Sequence, residues 1–217
     1  IDEQHRFGVE QRKNLINKGT CVNILAMTAT PIPRTLTFAI HGDMDLSWVD
    51  EMPKNRLPIK TFIVSSNNID SIYEKMKEEM DKGRFCFIVF PIIQESDKID
   101  AKDAESAYEK FKNDIFKDYT LGFLHGRLNK DDKKEIMDKV NNGEIQCLIS
   151  TTVVEVGINN PNATIMVIEN AERFGLTQLH QLRGRIGRGQ YQSYCYMVQQ
   201  KVTENSTKRL NILEEHL

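Results

Sequence analysis

The sequence predicts an α/β protein with a mostly parallel β-sheet that carries helices on both faces. From residue 60 onward, short apolar stretches alternate with amphipathic ones, which is the pattern of a chain that builds a parallel sheet. The stretch at 85–90, Phe-Cys-Phe-Ile-Val-Phe, is apolar throughout, as expected of a central strand covered on both sides. Residues 1–45 lie before this pattern and are expected to be the end of a preceding domain.

Residues 1–59 are expected to hold three elements and a linker. A polar helix, an apolar strand and a second helical stretch are predicted in turn at 7–18, 21–27 and 34–42. Pro53 and Pro58 bracket the short basic segment Lys54-Asn-Arg56, and neither proline can continue a helix. We therefore predict that 46–59 is a linker between a domain that ends at residue 45 and one that spans 60–217.

In 60–217 the apolar pattern predicts a sheet and its covering helices. The strands are expected at 61–64, 85–90, 120–124, 145–150, 164–169 and 193–198. The helices are expected at 68–82, 107–115, 131–141, 176–182 and 206–215. Residues 97–105 are polar and are expected to form a mobile surface loop.

The composition is that of a globular protein without a general affinity for nucleic acid. The formal net charge is -2, so any contact with DNA has to come from local basic patches. The cysteines are scattered in or beside apolar runs, which indicates buried thiols rather than a metal site or disulfides. They are Cys21, Cys86, Cys147 and Cys195. No signal peptide and no membrane-spanning stretch are found, so a cytoplasmic location is expected.

Three arginines stand close together after the helix predicted at 176–182. Arg183, Arg185 and Arg188 are separated only by apolar residues and glycines. Guanidinium groups stay charged and bind phosphate oxygens through paired hydrogen bonds, which suits them to neutralise charge on a transferring phosphoryl group. The interleaved glycines let the backbone turn tightly and approach a ligand. The alternative is a solvated basic turn.

Further motifs stand in a fixed order before this arginine stretch. They are Asp2-Glu-Gln-His5, Thr28-Ala-Thr30 and Thr151-Thr-Val-Val-Glu-Val-Gly-Ile-Asn159. With the string Gln-x-x-Gly-Arg-x-Gly-Arg at 181–188, they resemble motifs II, III, V and VI of superfamily 2 helicases. Longer strings narrow the resemblance to the RecG family of ATP-dependent DNA helicases, and they lie at 1–9, 27–35, 168–176 and 178–188.

The resemblance implies two RecA-like domains, with residues 1–45 as the last third of the first. It implies an ATP-driven motor, expected to be a monomer, that remodels branched DNA such as stalled forks and Holliday junctions in recombination and repair. The sequence lacks the phosphate-loop pattern Gly-x-x-x-x-Gly-Lys-[Ser/Thr]. We therefore expect a fragment that is inactive alone, with DNA, an amino-terminal wedge domain and the first motor domain as its partners.

By the same resemblance, the nucleotide site draws on both ends of the chain. Asp2 is expected to hold the Mg²⁺ that accompanies ATP, and Glu3 to act as general base. Arg185 and Arg188 are expected to be catalytic arginine fingers on the γ-phosphate, with Gln181 beside them. Further residues are implied in nucleotide binding: His5, Gly157 and Asn159. The last of these is an aspartate in many relatives, so its contact with the ribose stays open.

The resemblance also implies a DNA path and residues that couple it to the nucleotide. Thr28 and Thr30 are the expected coupling residues. The expected contacts with the DNA backbone are Thr151, Thr152, Arg127, Arg34 and Arg183. For Arg183 the alternative is an intramolecular salt bridge, and Arg127 and Arg34 could be ordinary surface residues.

Two other functions stay open at this point. The motor of the transcription-repair coupling factor shares the arginine stretch, although its opening motif usually carries Glu-Gln where this chain has Gln4-His5. The second is a catalytically silent module that binds DNA, or the other half of a motor, without turnover.

Overall fold

The computed structural model describes residues 56–91, 98–151 and 160–200 continuously, with the backbone alone at 98–103. Outside these ranges it describes residues 10, 14, 15, 17, 19, 22–25, 27, 45, 47, 49, 51, 209–211, 213 and 214. The chain divides into two compact units, 1–51 and 52–217. The division falls inside the segment predicted as a linker.

The described residues of unit 1–51 give a partial test of the predicted elements. Glu10, Asn14 and Leu15 are helical, in agreement with the helix predicted at 7–18. Residues 22–25 carry no regular secondary structure, so the strand prediction is wrong for them. A β-favouring composition is not sufficient, because a strand also needs a continuous ladder of hydrogen bonds with a neighbour. The helix predicted at 34–42 lies outside the described residues.

The second unit is built on a six-stranded sheet in which all neighbours are parallel. Its strands are β1 Lys60–Ser65, β2 Phe85–Val89, β3 Leu121–Leu124, β4 Cys147–Ser150, β5 Ala163–Ile168 and β6 Tyr194–Gln199. Their order across the sheet is β1-β6-β5-β2-β4-β3. The predicted parallel sheet is thus confirmed.

Within the described residues, four α-helices connect these strands. They are α1 Asp70–Asp81, α2 Lys98–Lys110, α3 Lys130–Asn141 and α4 Leu176–Arg183. Short 3₁₀ turns lie at Ser66–Asn68 and Ala171–Arg173, and a π-helical turn at Phe111–Ile115 follows α2. The described residues of the helix predicted at 206–215, which are 209–211, 213 and 214, are helical.

The surface loop predicted at 97–105 is wrong, because α2 begins at Lys98 and runs through this segment. The prediction relied on polarity alone, yet lysine, alanine and glutamate are strong helix formers. Ala104 is fully buried, and Ala107 and Tyr108 are half-buried at the spacing of one helical face. The polar residues therefore belong to a helix with a narrow apolar side.

Helices cover both faces of the sheet, and each face has its own apolar core. Alternate residues of a strand point to opposite faces, so Ile88 of β2 joins one core and Phe87 the other. Met76 of α1 packs in the first core. Leu179 and Leu182 of α4 pack in the second. The three-layer arrangement that the alternating pattern predicted is confirmed.

Three of the four cysteines lie within the described residues, and all are buried free thiols, as predicted. They are Cys86, Cys147 and Cys195. Burial raises the pKa of the Cys195 thiol to about 12, which keeps it protonated and unreactive. In the described part of the chain, no helix is both long and apolar enough to cross a membrane.

Because all strands run the same way, the sheet has an amino edge and a carboxyl edge. Residues 184–193 precede β6 and lie at the amino edge, where β1 and β5 also begin. Thr151 follows β4 and therefore lies at the carboxyl edge, beside the turn that follows β3. The six residues of β6 span roughly 20 Å. Arg185 and Arg188 thus lie at one edge of the sheet and Thr151 at the other.

Candidate functional site

Residues 184–193, which we call the arginine loop, join α4 to β6 and are held by backbone hydrogen bonds. The Arg185 N–H donates to the carbonyl oxygen of Leu182 at 2.9 Å. The Gly187 N–H donates to the carbonyl oxygen of Ala163, the first residue of β5, at 3.4 Å. Between them, Ile186 is fully buried in the core shared with α4. The loop is therefore fixed to both α4 and the sheet.

Two glycines of the arginine loop are required by its geometry. Gly187 has a φ of 69°, in the left-handed region, and a Cβ there would lie 2.7 Å from Cγ1 of Ile59. A Cβ on Gly189 would collide with the carbonyl oxygen of Pro161. Gly184, in contrast, has a φ of -66° and room for a Cβ. The tight turning that the sequence predicted is therefore seen at Gly187, while Gly189 is required by its close approach to Pro161.

The loop places two arginine side chains near each other. Arg188 is exposed, and its guanidinium folds back so that Nε donates to the carbonyl oxygen of Gly184 at 3.1 Å. Arg185 is half-buried. The pKa of Arg188 is lowered, first by partial burial and then by the charges of Arg185 and Arg56. Such a cluster of like charges is stabilised when an anion binds to it.

Arg183 faces the interior of the protein. It is 8% exposed, and its guanidinium donates to the carbonyl oxygen of Leu213 at 3.0 Å. A second nitrogen lies 3.2 Å from Nδ1 of His180. Burial, followed by the charge of Arg183, lowers the pKa of His180, which favours the neutral imidazole that can accept this bond. The geometry thus favours an intramolecular role over the DNA contact that the resemblance implied.

The remaining candidate of this stretch, Gln181, lies in the last turn of α4. Its side chain is half-buried, and the residue precedes the arginine loop by one helical turn. The structure therefore keeps Gln181, Arg185 and Arg188 on one short segment at the amino edge. Their roles toward a nucleotide stay a prediction.

The carboxyl edge carries two of the residues predicted to contact DNA. The backbone N–H of Thr151 donates to the carbonyl oxygen of Leu124, so Thr151 lies next to the turn that holds Arg127. Thr151 is buried, and among the described residues its hydroxyl has no hydrogen-bond partner. Arg127 is exposed. Of this pair, Arg127 is the side chain that a phosphate can reach directly.

The turn that carries Arg127 is well ordered by its neighbours. The ring of His125 packs on Phe123 with 4.8 Å between centroids. The Asn129 side chain caps α3 by accepting from the Asp132 N–H at 2.8 Å. Burial lowers the pKa of His125, so this imidazole contributes no charge near neutral pH. The local positive charge therefore comes from arginine and lysine.

Several predicted site residues lie outside the described residues. They are Asp2, Glu3, His5, Thr28, Thr30, Arg34, Thr152, Gly157 and Asn159. The part of the chain that is described contains no group of three or more His, Cys, Asp or Glu side chains that could hold a metal ion.

Sequence reasoning did not single out Arg56, which the structure places at the arginine loop. The Nε of Arg56 donates to the carbonyl oxygen of Gly187 at 2.9 Å. The two residues are 131 positions apart, so no local pattern could have paired them. The basic segment between Pro53 and Pro58 contains Arg56, but its composition predicts only a linker.

Comparisons with known proteins agree with this architecture. Residues 60–190 match the model of the family described as "Helicase conserved C-terminal domain". The chain is 49% identical over 215 residues to the ATP-dependent DNA helicase RecG of Bacillus subtilis, covering 99% of the chain and 31% of the relative. It is 47% identical over 215 residues to RecG of a Synechocystis species, covering 99% of the chain and 26% of the relative.

A solved structure, that of RecG bound to a three-way DNA junction, is also similar. The TM-score is 0.78 at 43% identity, and the match covers 99% of this chain and 27% of that one. The resemblance to RecG and the RecA-like fold are thereby confirmed. The chain spans between about a quarter and a third of the length of these relatives.

Proposed function

Because the chain belongs to the family of helicase conserved C-terminal domains, we propose that its residues 60–217 are the second motor domain of a RecG-type DNA helicase. Residues 1–45 are then the end of the first motor domain, and 46–59 the linker. The whole enzyme hydrolyses ATP to remodel branched DNA in the cytoplasm and works as a monomer.

The observation that carries this proposal is the geometry of the arginine loop. Arg185 and Arg188 project from a backbone that is bonded to α4 and β5 and has no room for a side chain at two of its glycines. Groups held in this way lose little conformational freedom when they meet a phosphate, which makes them effective at stabilising developing charge. A solvated basic turn would not require such anchoring.

The donors at this site fit the polyphosphate of ATP. Three guanidinium groups, those of Arg56, Arg185 and Arg188, lie close enough for the other two to lower the pKa of Arg188. Their mutual repulsion is relieved when a phosphate approaches. Transfer of the γ-phosphoryl group of ATP to water drives the motor. Arg185 and Arg188 neutralise charge on that group, and they act only when the opposite domain brings it to them.

The proposal for Mg²⁺ rests on the sequence. Asp2 is the residue expected to hold the ion and Glu3 the expected base, by their resemblance to motif II. Carboxylate oxygens are suitable ligands for Mg²⁺, which usually binds through one or two carboxylates and the phosphates of a nucleotide. In the same way, we keep His5, Gly157 and Asn159 as proposed nucleotide-binding residues.

The DNA path is proposed to run along the carboxyl edge. Arg127 offers an exposed cation there, and the motif at 151–159 begins at the same edge with Thr151. Thr152, the next residue in the sequence, is kept as a proposed contact. Contacts of this kind bind the sugar-phosphate backbone and read no base sequence. By the resemblance, Arg34 is kept as a further proposed DNA contact, and Thr28 and Thr30 as the proposed coupling residues.

The names of the relatives support RecG over the transcription-repair coupling factor. A catalytically silent module is the remaining alternative for this chain when it is isolated. The motor and the silent module can be distinguished by measuring ATP hydrolysis with and without three-way junction DNA. The measurement is made on this chain and on a full-length helicase that contains it. We expect DNA-stimulated turnover by the full-length protein and none by the isolated chain. A full-length protein that binds junctions without hydrolysing ATP would refute the proposed motor.

A further inference from the structure

The segment that leads into β1 runs along the arginine loop. The Arg56 Nε donates to the Gly187 carbonyl at 2.9 Å, and Ile59 fills the space in front of the missing Gly187 side chain. Two residues after Arg56, the Pro58 carbonyl accepts a hydrogen bond from Nε2 of Gln192 at 2.7 Å. The end of the linker and the arginine loop therefore share one set of contacts.

The bond from Arg56 meets the loop at its most constrained point. Gly187 lies between Arg185 and Arg188, has a left-handed φ, and donates its own N–H to β5. With its carbonyl held by Arg56, both backbone polar groups of Gly187 are hydrogen-bonded, and the peptides on either side of it are fixed. A rotation of the Gly187 peptide would change the separation and direction of the two neighbouring arginine side chains.

The charge of Arg56 repels that of Arg188, and it is one of the causes that lower the pKa of Arg188. It stands near Arg188, whose own guanidinium is already close to Arg185. A neutral donor could make the same hydrogen bond without this repulsion. The contribution of Arg56 to the arginine loop is therefore the hydrogen bond to Gly187 rather than its charge.

We infer that Arg56 is a positioning residue: it locks the Gly187 peptide and so makes the interdomain linker and the two arginine fingers move as one body. This inference rests on the proposed function. In a helicase of this type, closure of the two domains over ATP would displace the linker. The contacts of Arg56, Pro58 and Ile59 would carry that displacement directly to Arg185 and Arg188.

Two substitutions separate the hydrogen bond from the charge. In Arg56→Gln, Nε2 stands as many bonds from Cα as the arginine Nε, so the donor to Gly187 is kept and the charge is lost. In Arg56→Lys the charge is kept, but the donor lies one bond farther out. Arg56→Ala removes both, and Lys117→Gln removes one exposed charge far along the chain as a control.

The test uses full-length helicase and DNA-stimulated ATP hydrolysis. Misplacing catalytic groups by about 1 Å can cost roughly 100-fold in rate, so we expect Arg56→Ala and Arg56→Lys to lower kcat by about 10- to 100-fold. The KM for ATP and the thermal midpoint should change little. Arg56→Gln should keep at least about a third of kcat, and Lys117→Gln all of it. Two results would overturn the inference. One is that Arg56→Lys keeps the wild-type kcat while Arg56→Gln loses it, and the other is that kcat is unchanged in all three Arg56 variants.

Amide hydrogen exchange distinguishes failure of this inference from failure of the proposed function. In the same full-length proteins without nucleotide, a peptide that covers 184–193 should exchange faster in Arg56→Ala and Arg56→Lys than in wild type. Arg56→Gln should match the wild type. If the wild type itself does not hydrolyse ATP, the proposed function fails and this exchange pattern alone decides on Arg56. Equal exchange in all variants would overturn the positioning role.

Discussion

The guanidinium of Arg183 donates to the backbone carbonyl of Leu213, 30 positions along the chain. The bond joins the end of α4 to the helical residues near the carboxyl end of the chain, where Leu210 and Leu213 pack into the same core as Leu179. Arg183 therefore serves the packing that supports the arginine loop, although it belongs to the same motif as Arg185 and Arg188, the two proposed arginine fingers.

Replacement of Arg183 by alanine should destabilise the protein. The variant loses a buried hydrogen bond from a charged donor and leaves the Leu213 carbonyl unpaired, at a cost of about 2 kcal/mol. Urea unfolding of wild type and variant measures this difference. If the variant is as stable as wild type and its DNA affinity depends less on salt, Arg183 contacts DNA instead of stabilising the fold.

The glycines of the arginine loop should differ in their tolerance of alanine. Gly189→Ala would push a Cβ into the Pro161 carbonyl, and Gly187→Ala would place one against Ile59 in a left-handed backbone. Each should cost roughly 1–3 kcal/mol or displace the loop. Gly184→Ala is the matched control and should be tolerated. Unfolding midpoints and DNA-stimulated turnover of the three variants give the answer, and equal effects at all three positions would contradict the geometry.

A buried carboxyl at the carboxyl end of β5 should make stability depend on pH. Burial raises the pKa of Glu169 from 4.5 to about 7, a hydrogen bond from Tyr73 partly opposes this, and the charge of Glu172 adds to it. The folded state thus holds this proton more tightly than the unfolded state. Its stabilising effect is complete below pH 4.5 and is lost as the pH rises to about 7.

Glu169→Gln keeps an acceptor oxygen for Tyr73 but cannot ionise. A shift of this size corresponds to roughly 3 kcal/mol, so the variant should lose less stability than wild type between pH 4.5 and 8. Urea unfolding at several pH values in this window provides the comparison. Parallel pH profiles for the two proteins would show that Glu169 ionises normally in the fold.

The isolated chain should bind DNA weakly and without sequence preference. Its net charge is -2 and Arg127 is the one predicted DNA contact that is both described and exposed. Affinity should lie in the range of about 10⁻⁴ to 10⁻⁶ M at physiological salt, and Arg127→Ala should reduce the salt slope by about 0.9. Fluorescence anisotropy over a salt series, on junction and linear duplexes, measures both. Nanomolar binding selective for junctions would place recognition in this half of the motor.

Local pattern predicted the sheet and most helices because alternation of apolar and amphipathic stretches is a property of neighbouring residues. The strand at 85–90 is an example, since its unbroken apolar run is explained by cores on both faces. The same reasoning failed at 97–105, where polarity concealed the one-sided apolar pattern around Ala104. There, helix propensity was the stronger guide.

The candidate site was predicted only in part, for a different reason. The sequence shows three arginines at 183–188, but it does not show which of them are buried. Arg183 turns inward because helical geometry places it on the buried side of α4, while Arg188 follows the helix and is exposed. The partnership of Arg56 with Gly187 depends on β1 lying beside β6, which is a property of the whole sheet.

The most direct test of the account is the rate of DNA-stimulated ATP hydrolysis by full-length helicase carrying Arg188→Ala. Loss of an arginine finger commonly lowers kcat by about 10³-fold or more, so we expect turnover to fall to that extent while junction binding stays near wild type. Arg127→Ala is the control. It should weaken DNA binding but keep the full kcat when DNA is saturating. If Arg188→Ala hydrolyses ATP at the wild-type rate, the arginine loop is not the catalytic element that its geometry indicates.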